Sequence, residues 1–487
     1  MEPTYLACTG PCEGARVVIL TLVIFLSLLG GFAYTTLLER RFVAIIQHRV
    51  GPNRAGPFGL LQPIADAVKL IFKEDITPSG ADKVVFWLAP IITVLPALLV
   101  VAVVPLAPSI PIWIAGEWYV ISLSLLDVNV GVLYVLAITS IAVYGITLAG
   151  WASANKYSML GSIRASAQMI SYELSMGLVV AVPIMLAGTM SFGKIVDAQF
   201  DQSWFVLHNP LSAFILLVAM LAEVNRAPFD LPEAEQELTA GYHTEYSGMK
   251  FALFFMAEYI KMASVSIIAF SLFFGGYGGP LVDSDYATGQ VELTNTTSAA
   301  VVIPRGALVH NDTDDPARLV VFETLADVTI PAGGSALVDI EASAHSPGLL
   351  GNLPAGALTV IDGAAGVRAL NPEPTTGGGQ NFVFGPLLGA AYLVGKVVFA
   401  LLTMVWIRAT FPRFRYDQLM AFGWKVMLPL ALLALAWSAG ALVLSDEAGG
   451  NPDVYWAVSL TLTGVIVTVL VVSFLWSLVH RRREAVT

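Results

Sequence analysis

Apolar residues run along this chain in blocks separated by short polar stretches, and most blocks have the roughly 20 residues a helix needs to cross about 30 Å of hydrocarbon. Nine stand near residues 16–38, 84–107, 130–151, 168–190, 208–222, 250–275, 385–410, 424–445 and 453–479, the fifth being the shortest. Helices are the expected form, because a backbone in hydrocarbon must satisfy its own amides and carbonyls.

Two segments break the pattern. In "GPFGLLQPIADAVKLIF", Leu60, Leu61, Ile64, Val68 and Ile71 recur at helical spacing while Asp66, Lys69 and Lys73 lie elsewhere, which predicts a helix lying along the membrane surface. Between the sixth and seventh blocks, "QVELTNTTSAAVVIP", "ARLVVFETLADVTIPAGGSALVDIEAS" and "GALTVIDGAAGV" are short Val/Thr/Ile runs punctuated by Gly, Pro and Asn, the pattern of a small β-sandwich. The expected fold is therefore an all-α polytopic membrane protein with a β-rich insertion. Its divisions are 1–275 (spans one to six, with inside loops 39–83 and 223–249), 276–384 (the external insertion), 385–445 (spans seven and eight) and 446–487 (a further span with a basic tail).

Composition agrees: 56% of the 487 residues are hydrophobic, 13% are charged, and the mean hydropathy is +0.74. The net charge of −11 belongs mostly to residues 276–385, where 12 Asp or Glu face three Arg. Nothing is basic enough for nucleic acid. With the N-terminus outside, the inside loops collect 18 of the 25 Lys and Arg, down to the terminal "HRRR", as cytoplasmic loops should. The first block is followed by "LLERRF", with no small-residue cleavage pattern, so it reads as a retained span.

Several chemistries are excluded. None of the six histidines falls in mid-span, so a bis-histidine haem within the bundle is unsupported by any ligand. No glycine-rich nucleotide fingerprint occurs. Cys8 and Cys12 are the only cysteines; they could close a small external disulfide, the incidental reading is favoured, and two thiols cannot hold an iron–sulfur cluster. Electrons for any redox reaction must come from a partner.

What remains is carboxylate chemistry. Glu173 lies in "ISYELSMGLVV", Glu223 ends the fifth block, and Glu258 with Lys261 lies in "FFMAEYIKMASV". Each charge costs about 2.5–3.5 kcal/mol in hydrocarbon and should face the bundle interior. Glu258 and Lys261, three apart, could neutralise each other; Glu173 has no local partner. At the lip of the fifth span, "AEVNRAPFDLPEAEQELTAGYHTEY" gathers Glu223, Asp230, Glu233, Glu235, Glu237 and Glu245 against Arg226 alone. A helix start accounts for Asp230 and Glu233 but not for the others. Carboxylates crowded into a partly dry site cannot all ionise cheaply, so the set reads as a proton-handling site. In the first inside loop, "ERRFVAIIQHRVGPNRAGPFGLLQP" places Glu39, Arg40, Arg41, Arg49 and Arg54 around a Gly/Pro turn. That turn and the surface helix after it could frame the mouth of a cavity open to a lipid-soluble ligand.

The segments "ERRFVAIIQHRVGPNRAGPFGLLQPIADAVKLIFKED", "SMLGSIRASAQMISYELSMG", "AEVNRAPFDLPEAEQELTAGYHTEYSGMKFALFFMAEY" and "WIRATFPRFRYDQLMAFGWK" resemble the membrane-embedded quinone-site subunit of proton-pumping NADH:quinone oxidoreductase, or respiratory complex I. The resemblance implies an eight-span core in the bacterial cytoplasmic membrane. It also implies a quinone substrate, FMN and iron–sulfur clusters in partner subunits of the hydrophilic arm, and small and antiporter-like partners in the membrane arm. It places Glu39, Arg40, Arg49, Arg54, Asp66, Lys69, Arg226, Phe229 and Asp230 at the quinone chamber. Glu173, Glu223, Glu233, Glu235, Glu245 and Glu258 it places in a relay of protons. The β-rich insertion and the ninth span exceed the family's usual plan. Two alternatives stand beside this reading: the equivalent subunit of a membrane-bound hydrogenase or other donor-fed complex, and a stand-alone transporter, for which no internal repeat is visible.

Overall fold

The computed structural model describes residues 5–114, 117–231, 239–279, 282, 286–313, 318–343, 346, 348–364, 366–378, 384–447, 455–459 and 461. Helix α1, Pro11–Ile46, has 36 residues, a length of about 54 Å that exceeds the bilayer core and carries its last turns, with Glu39 and Arg40, toward one face. The next turn is fixed by Gly59, whose φ of 72° and whose close approach to Pro52 leave no room for a side chain: a Cβ would lie 2.8 Å from the Pro52 carbonyl carbon. Helix α2, Gln62–Ile71, follows as expected, and none of its residues is buried. Leu61, Ile64, Val68 and Ile71 stand exposed along it, as a surface helix with its apolar side turned to lipid or to a partner would have them.

The bundle continues with α3 (Lys83–Leu99), α4 (Gly131–Ala152), α5 (Lys156–Ala187), the short α6 (Phe192–Gln202) and α7 (Phe205–His208), and then α8 (Pro210–Glu223) and α9 (Gly248–Phe273). After the insertion come α10 (Phe384–Thr410), α11 (Tyr416–Phe422) and α12 (Leu428–Glu447), the last two joined by a wide turn at Gly423–Met427. Among the described residues, seven helices are long and apolar enough to span, and α8 is a shorter apolar helix at the position of the fifth block. With α8 this gives the eight-helix core. The ninth block lies outside the described residues except for 455–459 and 461, where Tyr455 packs with Trp437 and Ala441 of α12. Small residues let the helices approach: a Cβ at Gly145 of α4 would lie 2.8 Å from the Thr93 nitrogen of α3. Gly145→Leu should therefore cost about 1–3 kcal/mol of overpacking, read as faster thermal inactivation of the purified protein; parental thermal behaviour would show that the contact can relax.

The insertion is built by alternation. In β4 (Thr288–Asn295) Val291 and Leu293 are buried, and in β9 (Ser335–Ala342) so are Val338 and Ile340; the two strands pair antiparallel with Val291 opposite Val338. The six-stranded sheet runs β10 (Val360–Ile361), β6 (Leu308–His310), β7 (Val321–Thr324), β9, β4, β11 (Val367–Leu370). A two-stranded ribbon, β5 (Val301–Ile303) with β8 (Val328–Ile330), shares its core through Ile303 and Ile330. The insertion rests on the bundle through polar contacts. Lys194 of α6 meets Glu323 at 2.6 Å, and Tyr286 donates to Asp127 at 2.7 Å. Lys396 of α10 donates to the carbonyls of Phe274, Gly276 and Gly278, just past the end of α9, at 2.7–2.8 Å.

One sheet has no counterpart in the sequence expectation. Strand β1 (Tyr5–Ala7) pairs parallel with β3 (Glu117–Ile121), which pairs with β2 (Ile110–Ile114). Just after β1, Cys8 and Cys12 form a disulfide, so the favoured incidental reading gives way to the bridged one.

Candidate functional site

The site begins at the turn that leaves α8. Gln168 of α5 reaches across and donates to the Ala222 carbonyl at 2.7 Å, the Phe229 carbonyl at 2.7 Å and the Asn225 side chain at 3.1 Å. From the far side, the Phe414 amide donates to the Pro228 carbonyl at 3.1 Å. A turn so clamped can hold a charge inward. Arg226, 5% exposed, lies with its guanidinium carbon 4.4 Å from the centre of the Tyr259 ring.

Its partners come from distant parts of the chain. Arg226 donates to Glu39 of α1 at 3.2 Å and forms an ion pair with Glu258 of α9. Glu39 also accepts the Tyr259 hydroxyl at 2.6 Å and pairs with Arg408 of α10. Burial works against the Arg226 charge, but Glu258, Tyr259 and Glu39 outweigh it, so the guanidinium pKa is raised. The result is a network of two carboxylates, two guanidiniums and a phenol in which Glu39, Arg226 and Tyr259 are buried, Glu258 is half-buried and Arg408 reaches the surface; the buried charges are paired, as they must be. Beside it Phe229, itself buried, has Tyr172 and Phe414 each 5.6 Å away, centre to centre.

A second group lies deeper. Glu223, 2% exposed, accepts Lys261 of α9 at 3.0 Å, so Lys261 is bonded to the fifth apolar block while Glu258, one turn before it, is held by Arg226. Glu173 of α5 accepts the Ser140 hydroxyl of α4 and lies near enough for its charge to act on Glu223. Glu245, outside the helices, accepts the Asn155 amide at 2.6 Å.

The sequence-based set is thus divided. Glu39, Arg226 and Glu258 are brought into direct contact, with Phe229 alongside, and Glu173 neighbours Glu223. Arg40 pairs with Asp66 at 2.7 Å, tying α1 to α2. Arg49, Arg54 and Lys69 are exposed, and the Arg49 side chain donates to nearby Gln47 at 2.7 Å. Asp230 is half-buried at the edge of the turn. Glu233 and Glu235 lie outside the described residues. Sequence reasoning missed Gln168, Tyr259 and Arg408. Arg408 stood within the "WIRATFPRFRYDQLM" segment and Tyr259 beside Glu258, but neither residue carries a local sign of the partner it finds.

The arrangement can stabilise negative charge near the turn, through Arg226 and Arg408, and hold or release protons along Glu258, Glu223 and Glu173. The chain matches the profile of the family described as NADH dehydrogenase over residues 19–341 and 354–439. It is 38% identical over 419 residues to an H-type NADH-quinone oxidoreductase subunit of Geobacter sulfurreducens, covering 85% of this chain and 90% of that one. To the H-type subunit of Solibacter usitatus it is 40% identical over 419 residues (85% and 93% covered). To NADH-quinone oxidoreductase subunit 8 of Rhodothermus marinus it is 41% identical over 398 residues (81% and 87%). This chain, a multi-pass membrane protein by its helices, belongs to the NADH dehydrogenase family.

Proposed function

We propose that this chain forms the entrance and lower wall of the quinone chamber in a proton-translocating NADH:quinone oxidoreductase, and that its buried acids couple quinone reduction to proton movement. The observation that carries the reading is the Glu39–Arg226–Glu258 contact, because it joins the membrane-face loop, the acidic turn and a span carboxylate in one charge network. Electrons arrive from an iron–sulfur subunit of the hydrophilic arm, itself fed through FMN. Quinone takes up a proton for each electron it gains, so reduction near Phe229 and Asp230 leaves the neighbouring acids that supply those protons ionised, and Arg226 feels the added negative charge. Glu258, Glu223 and Glu173 pass the change on toward small and antiporter-like partners, with Glu233, Glu235 and Glu245 serving the same relay. Moving one charge against the membrane potential requires about 2.3 kcal/mol per 100 mV.

The exposed Arg40, Arg49, Arg54 and Lys69, with the half-buried Asp66, form the rim of the chamber, which partner subunits complete. The N-terminus and the insertion face the outside of a bacterial cytoplasmic membrane. The Cys8–Cys12 bridge supports that orientation, since disulfides persist on the oxidising side. Residues 276–384 serve there as an external contact module.

Solubilised in mild detergent, the chain should co-purify with iron–sulfur subunits, and in that complex Arg54→Ala should raise the KM for a short-chain quinone by about 10-fold, the worth of one hydrogen bond to a charged group. A monomer that moves solute unaided, or unaltered quinone and inhibitor binding in the variant, would count against the assignment.

A further inference from the structure

Lys261 has no place among the acids of the relay, yet it occupies their centre. Its ammonium is bonded to Glu223 at 3.0 Å and both residues are buried. The other carboxylate oxygen of Glu223, Oε2, is buried with no hydrogen-bond partner among the described residues. A buried acceptor in that state is costly unless water reaches it. Small cavities meet at this pair. One is lined by Lys261 and Glu258 together with Asn225, Tyr242 and Thr93. A second is lined by Lys261 and Glu223 with Thr139 and Ser264, and a third reaches Glu223 from the apolar side, again beside Thr139. The first exposes polar surface in its lining, as an internal water needs; the other two are apolar. Glu258 lies one turn from Lys261 on the same helix, so a lysine side chain can serve either acid by rotamer changes alone.

We propose that Lys261 is an ion-pair switch at a hydrated junction, its ammonium alternating between Glu223 and Glu258 while water in the Glu258-side cavity brings Glu223 its proton. The proposal rests on the acid-relay reading and adds a cation to it. When quinone chemistry draws Arg226 away from Glu258, Lys261 turns to Glu258. Glu223, stripped of its counter-charge, then accepts a proton from a water in the Glu258-side cavity, and that water is replenished with a proton from the quinone side. When Lys261 returns, it displaces this proton toward Glu173. Only O–H bonds form and break, and the ammonium keeps its own protons throughout. The charged groups facing the pair are Glu258 and Arg226 at the turn side and Glu173 across on α5.

The test uses the assembled complex in proteoliposomes, with NADH oxidation by an artificial acceptor as the measure of assembly. Lys261→Met should lower protons pumped per electron by about half or more, the loss expected when a buried carboxylate is kept neutral by removal of its counter-ion. It should also create a protonated-carboxyl infrared band that disappears in Lys261→Met/Glu223→Gln. Lys261→Arg, which keeps the charge, should retain part of the pumping. Should Lys261→Met prevent assembly, Lys261→Gln, which removes the charge but keeps a donor to Glu223, supplies the same pumping measurement. Parental pumping in Lys261→Met (or in Lys261→Gln), or no new carboxyl band, overturns the switch. If Glu223→Gln also pumps normally the relay reading falls with it, whereas a pumping defect in Glu223→Gln alone leaves the relay standing and removes only Lys261.

Discussion

Arg226→Met should cost about 3–5 kcal/mol and leave little assembled complex, because it removes the buried cation shared by buried Glu39 and half-buried Glu258. Breaking one side of a buried pair carries that penalty, whereas exchanging the whole pair for neutral groups is often close to neutral. Glu39 would keep Arg408 and Tyr259, so the larger strain falls on Glu258. Arg226→Met/Glu258→Gln should therefore recover much of the assembly that the single variant loses, a non-additivity expected of residues in contact. Arg226→Lys should assemble better than the methionine variant, yet a point charge cannot span Glu39 and Glu258 as a planar guanidinium does, so its quinone turnover should remain depressed. Yields of intact complex on native gels, with the thermal inactivation of quinone reduction, read all three. Parental yield and thermal behaviour in Arg226→Met would mean that the network is not a buried one in the complex.

The same network shows where the sequence is legible and where it is not. The spans are readable because each carries its own signal: hydrophobic length is a property of one segment. The strands of the insertion are readable for the same reason, since the alternation at Val291 and Leu293, or at Val338 and Ile340, is local; their order in the sheet is not, because strand pairing depends on residues elsewhere. Strand β1 illustrates the limit. Three residues near the N-terminus become a strand only because Tyr5–Ala7 meet Trp118–Val120, far along the chain. The charged residues divide likewise. Their presence in spans singles them out in the sequence, yet spacing alone sets Lys261 opposite Glu258, whereas tertiary packing gives Lys261 to Glu223 and Glu258 to Arg226. Helical periodicity says which residues share a face; it does not say what the neighbouring helix brings to that face. Arg408, 369 positions from Glu39 in sequence, could be identified as its partner only from the fold.

Glu173→Gln should separate proton movement from structure more cleanly than any change at Glu258. Glu173 is held by Ser140, and a glutamine oxygen can still accept that hydroxyl, so the packing of α4 on α5 survives while the capacity to ionise is lost. Glu258→Gln removes an ion-pair partner of buried Arg226 as well, and should depress both assembly and turnover. If protons pass through Glu173, blocking it raises the barrier of a step that each turnover must cross, and a rise of ~1.4 kcal/mol slows the rate about tenfold. An uncoupler should not restore that loss, because collapsing the membrane potential removes the back-pressure on proton movement but not the missing group. Quinone reduction and proton uptake, measured together in proteoliposomes with and without uncoupler, give both quantities. Full pumping in both variants would remove Glu173 and Glu258 from the relay. Uncoupler-restored turnover in Glu173→Gln would instead place that residue beyond the slow step, since only a group that every turnover must use can hold back a reaction whose opposing gradient has gone.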